Sequence, residues 1–434
     1  MPDLRSALLF RREDRIPLAL VVGLAASFHV VLGSLAIGPL ELTHSNFGLF
    51  YDGHLYIEIA KSFPLPFGSG ARDYMGQAPG YPALIALVRW ATPDALVDWG
   101  LAALIASTIP AALCAGAVFL LCRELGMAPL WPSLLFVFAN PRWAMVSPAA
   151  FSEPLAILFA LGSVTAMLRG RLGVSMLLLT LAGLTRFPMF LLGVPLALHW
   201  VLLSPNGPSG FVERLRAASS QRGSLLFALP VVSFGLYNLF LYWRLPGFEG
   251  IADSHSIFWD THFTWPFESL LAGIHPAMWK GWTLYVTTYA TLAFLLVSIV
   301  AGLLRLERRL WILPLSAAVI VLFHASLAGM VGAWAFGRIT LIAWPFALLA
   351  LLCAVPVLAR PPAAVIACVG MGIYASIFSL ERIPIALSAQ ARNQVFMPEK
   401  IRQLQSDQPD WFDFRQLRSS RSQRGPDQRG ATQP

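Results

Sequence analysis

Residues 16–38 read IPLALVVGLAASFHVVLGSLAIG, an apolar run without a single acidic or basic side chain apart from one histidine. An α-helix rises 1.5 Å per residue, so a run of this length crosses a hydrocarbon core of roughly 30 Å. Similar runs recur outward from it at 97–122, 128–140, 151–168, 172–184, 187–203, 224–243, 279–304, 310–330, 339–358 and 361–379. In lipid every backbone amide needs an internal partner, so the pattern predicts an all-α polytopic membrane protein of about eleven transmembrane helices. Composition agrees. Of 434 residues, 57% are hydrophobic and 12% charged, and the mean hydropathy of +0.65 lies outside the soluble globular range. The first run is too long for the core of a cleaved signal peptide and lacks a small-residue cleavage site, so it reads as a retained helix. Tyr81–Trp90 is too short to span and is expected to lie in the interface or to pack as a half-helix.

The net charge of +8 matters less than its placement. Arginines are dense in alternate loops: Arg5, Arg11, Arg12 and Arg15, then Arg123, Arg169 with Arg171, Arg214 with Arg216 and Arg222, Arg305 with Arg308 and Arg309, and Arg360. The intervening loops are longer and poorer in positive charge, so the first set marks the cytoplasmic side. Residues 1–15 are then a cytoplasmic N-terminus, 16–390 the transmembrane domain, and 39–98 and 244–277 the long outer loops. With eleven helices the tail, 391–434, lies outside despite Arg415, Arg418, Arg421, Arg424 and Arg429, and its polar, Gly/Pro/Gln-rich ending predicts disorder. Nucleic acid is excluded as a partner; the bilayer is one. Cys114, Cys122, Cys353 and Cys368 fall inside apolar runs without metal-site or disulfide spacing and read as small core side chains. The absence of any Asn-x-Ser/Thr sequon and the arginine-rich, lysine-poor usage point to a bacterial inner membrane.

Chemistry-bearing residues concentrate in the first outer loop: Tyr51-Asp52-Gly53-His54-Leu55-Tyr56-Ile57-Glu58-Ile59-Ala60-Lys61-Ser62-Phe63-Pro64, followed by Arg72-Asp73-Tyr74-Met75-Gly76-Gln77-Ala78-Pro79-Gly80-Tyr81-Pro82. Tyr56, Ile59, Ala60 and Phe63 share one face of a short amphipathic helix, expected to lie on the membrane. Asp52 at its start serves either as an N-cap or as a carboxylate that takes a proton from a hydroxyl. Asp52, His54 and Asp73 can also converge on a divalent metal ion. Arg186 and Arg338 fall at outer helix ends, where a guanidinium pairs with a phosphate, snorkels, or meets a structural carboxylate. Glu153 starts a helix and either complements its N-terminus or takes part in chemistry. His262 and Glu268 flank Trp265-Pro266 in the second outer loop, where they either cradle a sugar or accompany interfacial aromatic anchors. His29 and His324 are lone histidines in apolar helices and read as packing residues.

The (Trp/Tyr)-Asp-Gly-x-x-Tyr-x-x-Ile-Ala pattern, followed by Pro-Gly-Tyr-Pro, resembles the first outer loop of GT-C glycosyltransferases, nearest to bacterial relatives of the PIG-V type, the GPI-anchor mannosyltransferases. Phe151-Ser152-Glu153-Pro154-Leu155, the LAGLTRFP stretch at 181–188, Gly337-Arg338 and the WDTHFTWPFESLL stretch at 259–271 are similar to later segments of that family, in order. The resemblance spans about residues 15–380. It implies a GT-C-like bundle and an inverting hexosyl- or mannosyltransferase that uses a polyprenyl-phosphate sugar donor. Its acceptor would be a glycolipid, polysaccharide or protein on the periplasmic face. It assigns the catalytic carboxylate to Asp52 and implies substrate contacts among Arg338, Arg186, His54, Asp73, Tyr81, Glu153, His262 and Trp265. Tyr51 stands where the family more often has Trp, and Gln77-Ala78 departs from the usual residues before Pro-Gly-Tyr-Pro. No nucleotide-binding loop is expected, and none occurs. The competing reading is a transporter or flippase of lipid-linked sugars, which favours ionisable residues at helix midpoints and repeat symmetry. A non-catalytic polyprenyl-phosphate binder is a third.

Overall fold

Helices follow the apolar runs closely because a lipid-facing segment has no other way to satisfy its backbone. The computed structural model describes residues 12–38, 44–48, 52–61, 77–93, 96–202, 210–244, 249–251, 261–274, 282–328 and 333–383. Among them the chain forms α1 (Arg15–Ile37), α2 (His44–Gly48), α3 (Gly53–Lys61), α4 (Gly80–Ala91), α5 (Trp99–Glu124), α6 (Leu130–Phe138), α7 (Pro141–Val146), α8 (Glu153–Leu168) and α9 (Leu172–Thr185). There follow α10 (Gly193–Leu202), α11 (Phe211–Ser219), α12 (Ala228–Arg244), α13 (Glu268–Ala272), α14 (Trp282–Arg305), α15 (Ile312–Ala325), α16 (Ala333–Ile339), α17 (Trp344–Ala354) and α18 (361–383). Six helical stretches are long and apolar enough to cross a membrane: Arg15–Ile37, Trp99–Glu124, Gly223–Trp243, Thr283–Arg305, Phe336–Ala354 and Pro361–Ile383. Four shorter apolar ones, at Glu153–Leu168, Leu172–Thr185, Phe187–Leu202 and Ile312–Ala325, pack among them. The protein is an all-α, membrane-embedded bundle.

The structure departs from the sequence-based reading at several points, one being the run at 187–203, whose first part, Phe187–Leu192, is a 3-10 helix. The run at 310–330 ends at Ala325, and Leu327–Ala328 then forms a strand, β2, antiparallel to β1 at His262–Phe263. The run at 339–358 begins earlier, at Ala333, and passes through a 3-10 turn, Thr340–Ala343, before α17. The amphipathic α3 does not rest its apolar face on lipid: Tyr56, Ile57, Ile59 and Ala60 are buried against α4 and α5. Phe63, Asp73 and the tail 391–434 lie outside the described residues.

Interior helices meet through small side chains, which let backbones approach where no hydrophobic effect separates protein from lipid. Along the α8–α9 hairpin, Ala156, Ala160 and Ala182 are buried, and Ser163 Oγ donates to the Ser175 carbonyl at 2.8 Å. Outward faces stay apolar: Val30, Val31 and Leu35 of α1 are each 56% exposed. That is the surface acyl chains cover, whereas in water each Å² would cost about 25 cal/mol. All four cysteines are unpaired, and Cys114 and Cys122 are buried.

Ion pairs mark the two ends of the bundle. Arg123, closing α5, pairs with Asp14 before α1, and Arg169, closing α8, meets Glu124 at 2.5 Å. At the opposite end lie the start of α8, the end of α9, and the α3–α4 layer over the start of α5. The second ionic cluster gathers there.

Candidate active site

Four segments far apart in sequence converge at this end. Asp52 sits in the turn before α3, and its carbonyl accepts the first helical bond, from the Tyr56 amide at 3.0 Å. Its carboxylate meets Arg338 Nη2 from α16. Arg338 Nε donates to Glu153 Oε1 at 3.0 Å, and Arg186 Nη1 reaches the same oxygen at 2.9 Å. One carboxylate oxygen thus bridges two guanidiniums. Local chain geometry explains each placement. Ser152 and Pro154 bracket Glu153 at the first position of α8. Pro188 opposes helical continuation, so α9 ends at Thr185 and Arg186 adopts an extended conformation that turns its side chain across the bundle.

Two glycines of the recognised patterns serve close approach. A Cβ on Gly53 would lie 2.3 Å from the Gly48 carbonyl oxygen and 3.0 Å from Ala150 Cβ, so only glycine lets the start of α3 close on the end of α2. A Cβ on Gly80 would meet Thr185 Oγ1 at 2.7 Å and the Leu184 carbonyl at 3.0 Å. The Pro-Gly-Tyr-Pro segment therefore docks α4 onto the end of α9, beside Arg186.

Around the ions stands an aromatic and hydroxyl layer. The Arg338 guanidinium lies 4.4 Å from the Phe151 ring centroid, within cation–π range. Ser152 Oγ accepts from Arg186 Nη1 at 3.3 Å and shares a 3.0 Å hydrogen bond with the Tyr56 hydroxyl. Tyr81, one of the residues singled out for substrate contact, is fully buried: its ring meets Tyr56 edge-on at 4.9 Å and its hydroxyl donates to the Ala103 carbonyl at 2.8 Å. It supports Tyr56 from behind.

Exposure grades across the cluster. Glu153 is 0% exposed, Arg186 and Arg338 keep 15% and 20% of their side-chain surface, and Asp52 keeps 28%. Asp52 is therefore the member that a second molecule reaches most easily. Burial pushes its carboxyl up, but the charge and hydrogen bond of Arg338, aided by Arg186 and His54, outweigh this and hold it below the ordinary carboxylate range. Burial, and next the Asp52 charge, push the Tyr56 phenol well above its usual value, so it stays protonated. Two cations balance two anions, as burial demands, and such networks seldom add net stability over an apolar core. Glu153 Oε2 and Arg186 Nε, both buried, have no hydrogen-bond partner among the described residues. Such groups cost about 1–3 kcal/mol each, and they are not confined to this cluster: His29 Nε2, Trp143 Nε1 and Ser379 Oγ are others among the described residues.

Of the sequence candidates, Asp52, Glu153, Arg186 and Arg338 come together, with His54 beside Asp52 on α3. His262 and Trp265 do not share those contacts. His262 is exposed on β1, paired with Ala328, and Trp265 is 82% exposed, its amide donating to Glu268 Oε2 at 3.2 Å. Asp73 falls outside the described residues, among which no group of three or more His, Cys, Asp and Glu side chains is arranged for a metal ion. His29 and His324 are buried, with Nδ1 on Ser147 Oγ at 2.7 Å and on the Ile320 carbonyl at 2.9 Å, while His29 Nε2 has no hydrogen-bond partner among the described residues.

The sequence reading overlooked Phe151 as the platform of Arg338. It also passed over Arg142, a buried arginine on α7 whose Nη2 donates to Thr288 at 3.3 Å and whose guanidinium lies 5.3 Å from the Phe378 ring centroid. A charged residue directly after Asn140-Pro141 between two apolar runs is the only signal for it. No protein-family model matches the chain, and comparison with curated proteins finds no match.

Proposed function

We propose that the protein is an inverting membrane glycosyltransferase of the GT-C type. It moves a hexose, mannose foremost, from a polyprenyl-phosphate donor to an acceptor at the outer face of a bacterial inner membrane. One observation carries this reading: a partly exposed carboxylate, Asp52, stands beside two guanidiniums, Arg186 and Arg338, at one end of an apolar bundle. The arginine-rich loops lie toward the other end, and the positive-inside tendency assigns the Asp52 end to the outside.

The chemistry needs these groups. An acceptor hydroxyl passes its proton to Asp52 as its oxygen forms a bond to the anomeric carbon. The bond from that carbon to the phosphate oxygen breaks, and polyprenyl phosphate leaves with the electron pair. The phosphodiester carries one negative charge and the departing monoester gains a second. Guanidiniums at the phosphate are therefore worth more in the transition state than in the ground state. The polar cluster sits at helix ends, which suits a reaction at the interface better than passage of a sugar through the bilayer.

The test is transfer of label from radiolabelled polyprenyl-phosphate mannose to a membrane-lipid extract, in liposomes holding wild-type protein or Asp52→Asn. Transfer by wild type and its loss in the variant are expected. Equal transfer by both removes Asp52 from the mechanism. Label that crosses the bilayer without being transferred makes the protein a flippase instead.

A further inference from the structure

While Asp52 is paired with Arg338 it takes one N–H of Nη2 and neutralises the guanidinium, so a phosphate meets less charge there, and Asp52 is itself a poor proton acceptor. In the proposed reaction both groups are needed at once, so this contact has to open. Glu153 is placed differently. It is wholly buried, and its single Oε1 fixes Arg338 through Nε and Arg186 through Nη1, leaving the Arg338 Nη edge to Asp52. With both nitrogens within 3.0 Å of one oxygen, the two guanidiniums are held next to each other by the same carboxylate, so their remaining N–H donors serve one neighbourhood. Phe151 under Arg338 and Ser152 on Arg186 hold the two planes while Asp52, the most exposed of the four, exchanges. The buried Arg186 Nε, without a partner among the described residues, is a further donor in this cluster.

We propose that Glu153 is the fixed counter-ion of a two-arginine clamp for a lipid phosphodiester, and that Asp52 occupies the phosphate's place on Arg338 until the phosphodiester displaces it. This rests on the transferase reading and deepens it. Glu153 becomes a positioning residue that touches no substrate. Arrival of the donor frees the base that the reaction requires, which prevents Asp52 from activating a hydroxyl or water in the donor's absence. Carboxylate and phosphodiester compete for one guanidinium edge, so removing the carboxylate charge strengthens phosphodiester binding even as it abolishes transfer.

The probe is polyprenyl methyl phosphate, a phosphodiester anion without a sugar to transfer. It is titrated onto the detergent-solubilised full-length protein and read by native mass spectrometry. Asp52→Asn is expected to bind it about tenfold more tightly than wild type, a difference of about 1.4 kcal/mol. The double variant Asp52→Asn/Arg338→Gln is expected to lose that gain. Glu153→Gln is expected to bind about tenfold more weakly, with Glu153→Asp restoring part of the loss. Equal or weaker binding by Asp52→Asn overturns the competition, and binding by Glu153→Gln equal to wild type overturns its positioning role. Both results leave the transferase reading intact, because transfer is measured separately. The same gain with phosphatidylglycerol supports the clamp while removing its selectivity for a polyprenyl donor. No binding of the probe by any form overturns clamp and donor-phosphate reading together.

Discussion

Glu153→Gln separates a buried, shared carboxylate from an ordinary surface ion pair. Glu153 is 0% exposed and accepts from Arg186 at 2.9 Å and Arg338 at 3.0 Å. Removing one partner of a buried pair costs about 3–5 kcal/mol, because the other charge stays buried without compensation. Glutamine keeps an acceptor oxygen, Asp52 still holds Arg338, and the arginines keep 15% and 20% exposure, so the loss here is about 2–4 kcal/mol. The comparison is Glu58→Gln, whose partner Lys61 lies at 2.6 Å but whose side chain is 40% exposed. Despite the shorter contact, solvent screening limits that loss to about 0–1 kcal/mol. Both are measured as midpoint shifts in a reversible denaturant titration in mixed micelles. Equal shifts for the two variants would refute the reasoning, since they would mean that contact distance rather than burial sets the penalty.

Three further outcomes follow from the geometry. Gly80→Ala sets a Cβ 2.7 Å from Thr185 Oγ1 and 3.0 Å from a backbone carbonyl, so the same titration is expected to show a loss of about 1–3 kcal/mol. Asn140→Ala removes the acceptor of the Arg142 and Trp143 amides, at 2.9 and 3.1 Å, and is expected to cost about 1 kcal/mol in that assay. Asp52 is held below its unfolded value, so its contribution to stability is complete above the ordinary carboxylate range and is lost as pH falls through the folded value. Wild-type stability measured from pH 6 down to about pH 3 should therefore fall more steeply than that of Asp52→Asn. Parallel curves would show that Arg338 does not depress the Asp52 carboxyl.

The bundle was legible because lipid permits few alternatives: a long apolar run is a helix, and α1, α5 and α14 follow their runs to within a few residues. Boundaries failed where a tertiary partner intervened. Nothing within residues 310–330 announces that Leu327–Ala328 will find His262–Phe263 as a strand partner. In the site, the four ionic residues were recognisable one at a time. Their pairing was not, because Asp52 and Arg338 are separated by 286 positions and periodicity speaks only of neighbours. Asp52 read as a cap or base, Glu153 as a helix-start carboxylate and both arginines as partners of a phosphate or a carboxylate; which carboxylate each arginine meets emerged only in three dimensions. Tyr81 shows the converse. Its motif drew attention to the tyrosine, while the geometry gives the close approach to Gly80 and sends the tyrosine hydroxyl to a backbone carbonyl.

The bridging of two arginines by one glutamate also sets a schedule for synthesis. Glu153 and Arg186 belong to one helical hairpin, α8 and α9, and can enter the bilayer together with their charges cancelled. Arg338 is made 152 residues after Arg186, and at roughly 5–20 residues per second it follows by about 8–30 s. Until then Asp52 waits without its guanidinium, at the mouth of a bundle that already contains the glutamate and its first arginine. The four-residue ionic cluster is complete only when the late segment is in place, so a nascent chain halted before residue 338 carries the hairpin's neutral pair without the Asp52–Arg338 contact.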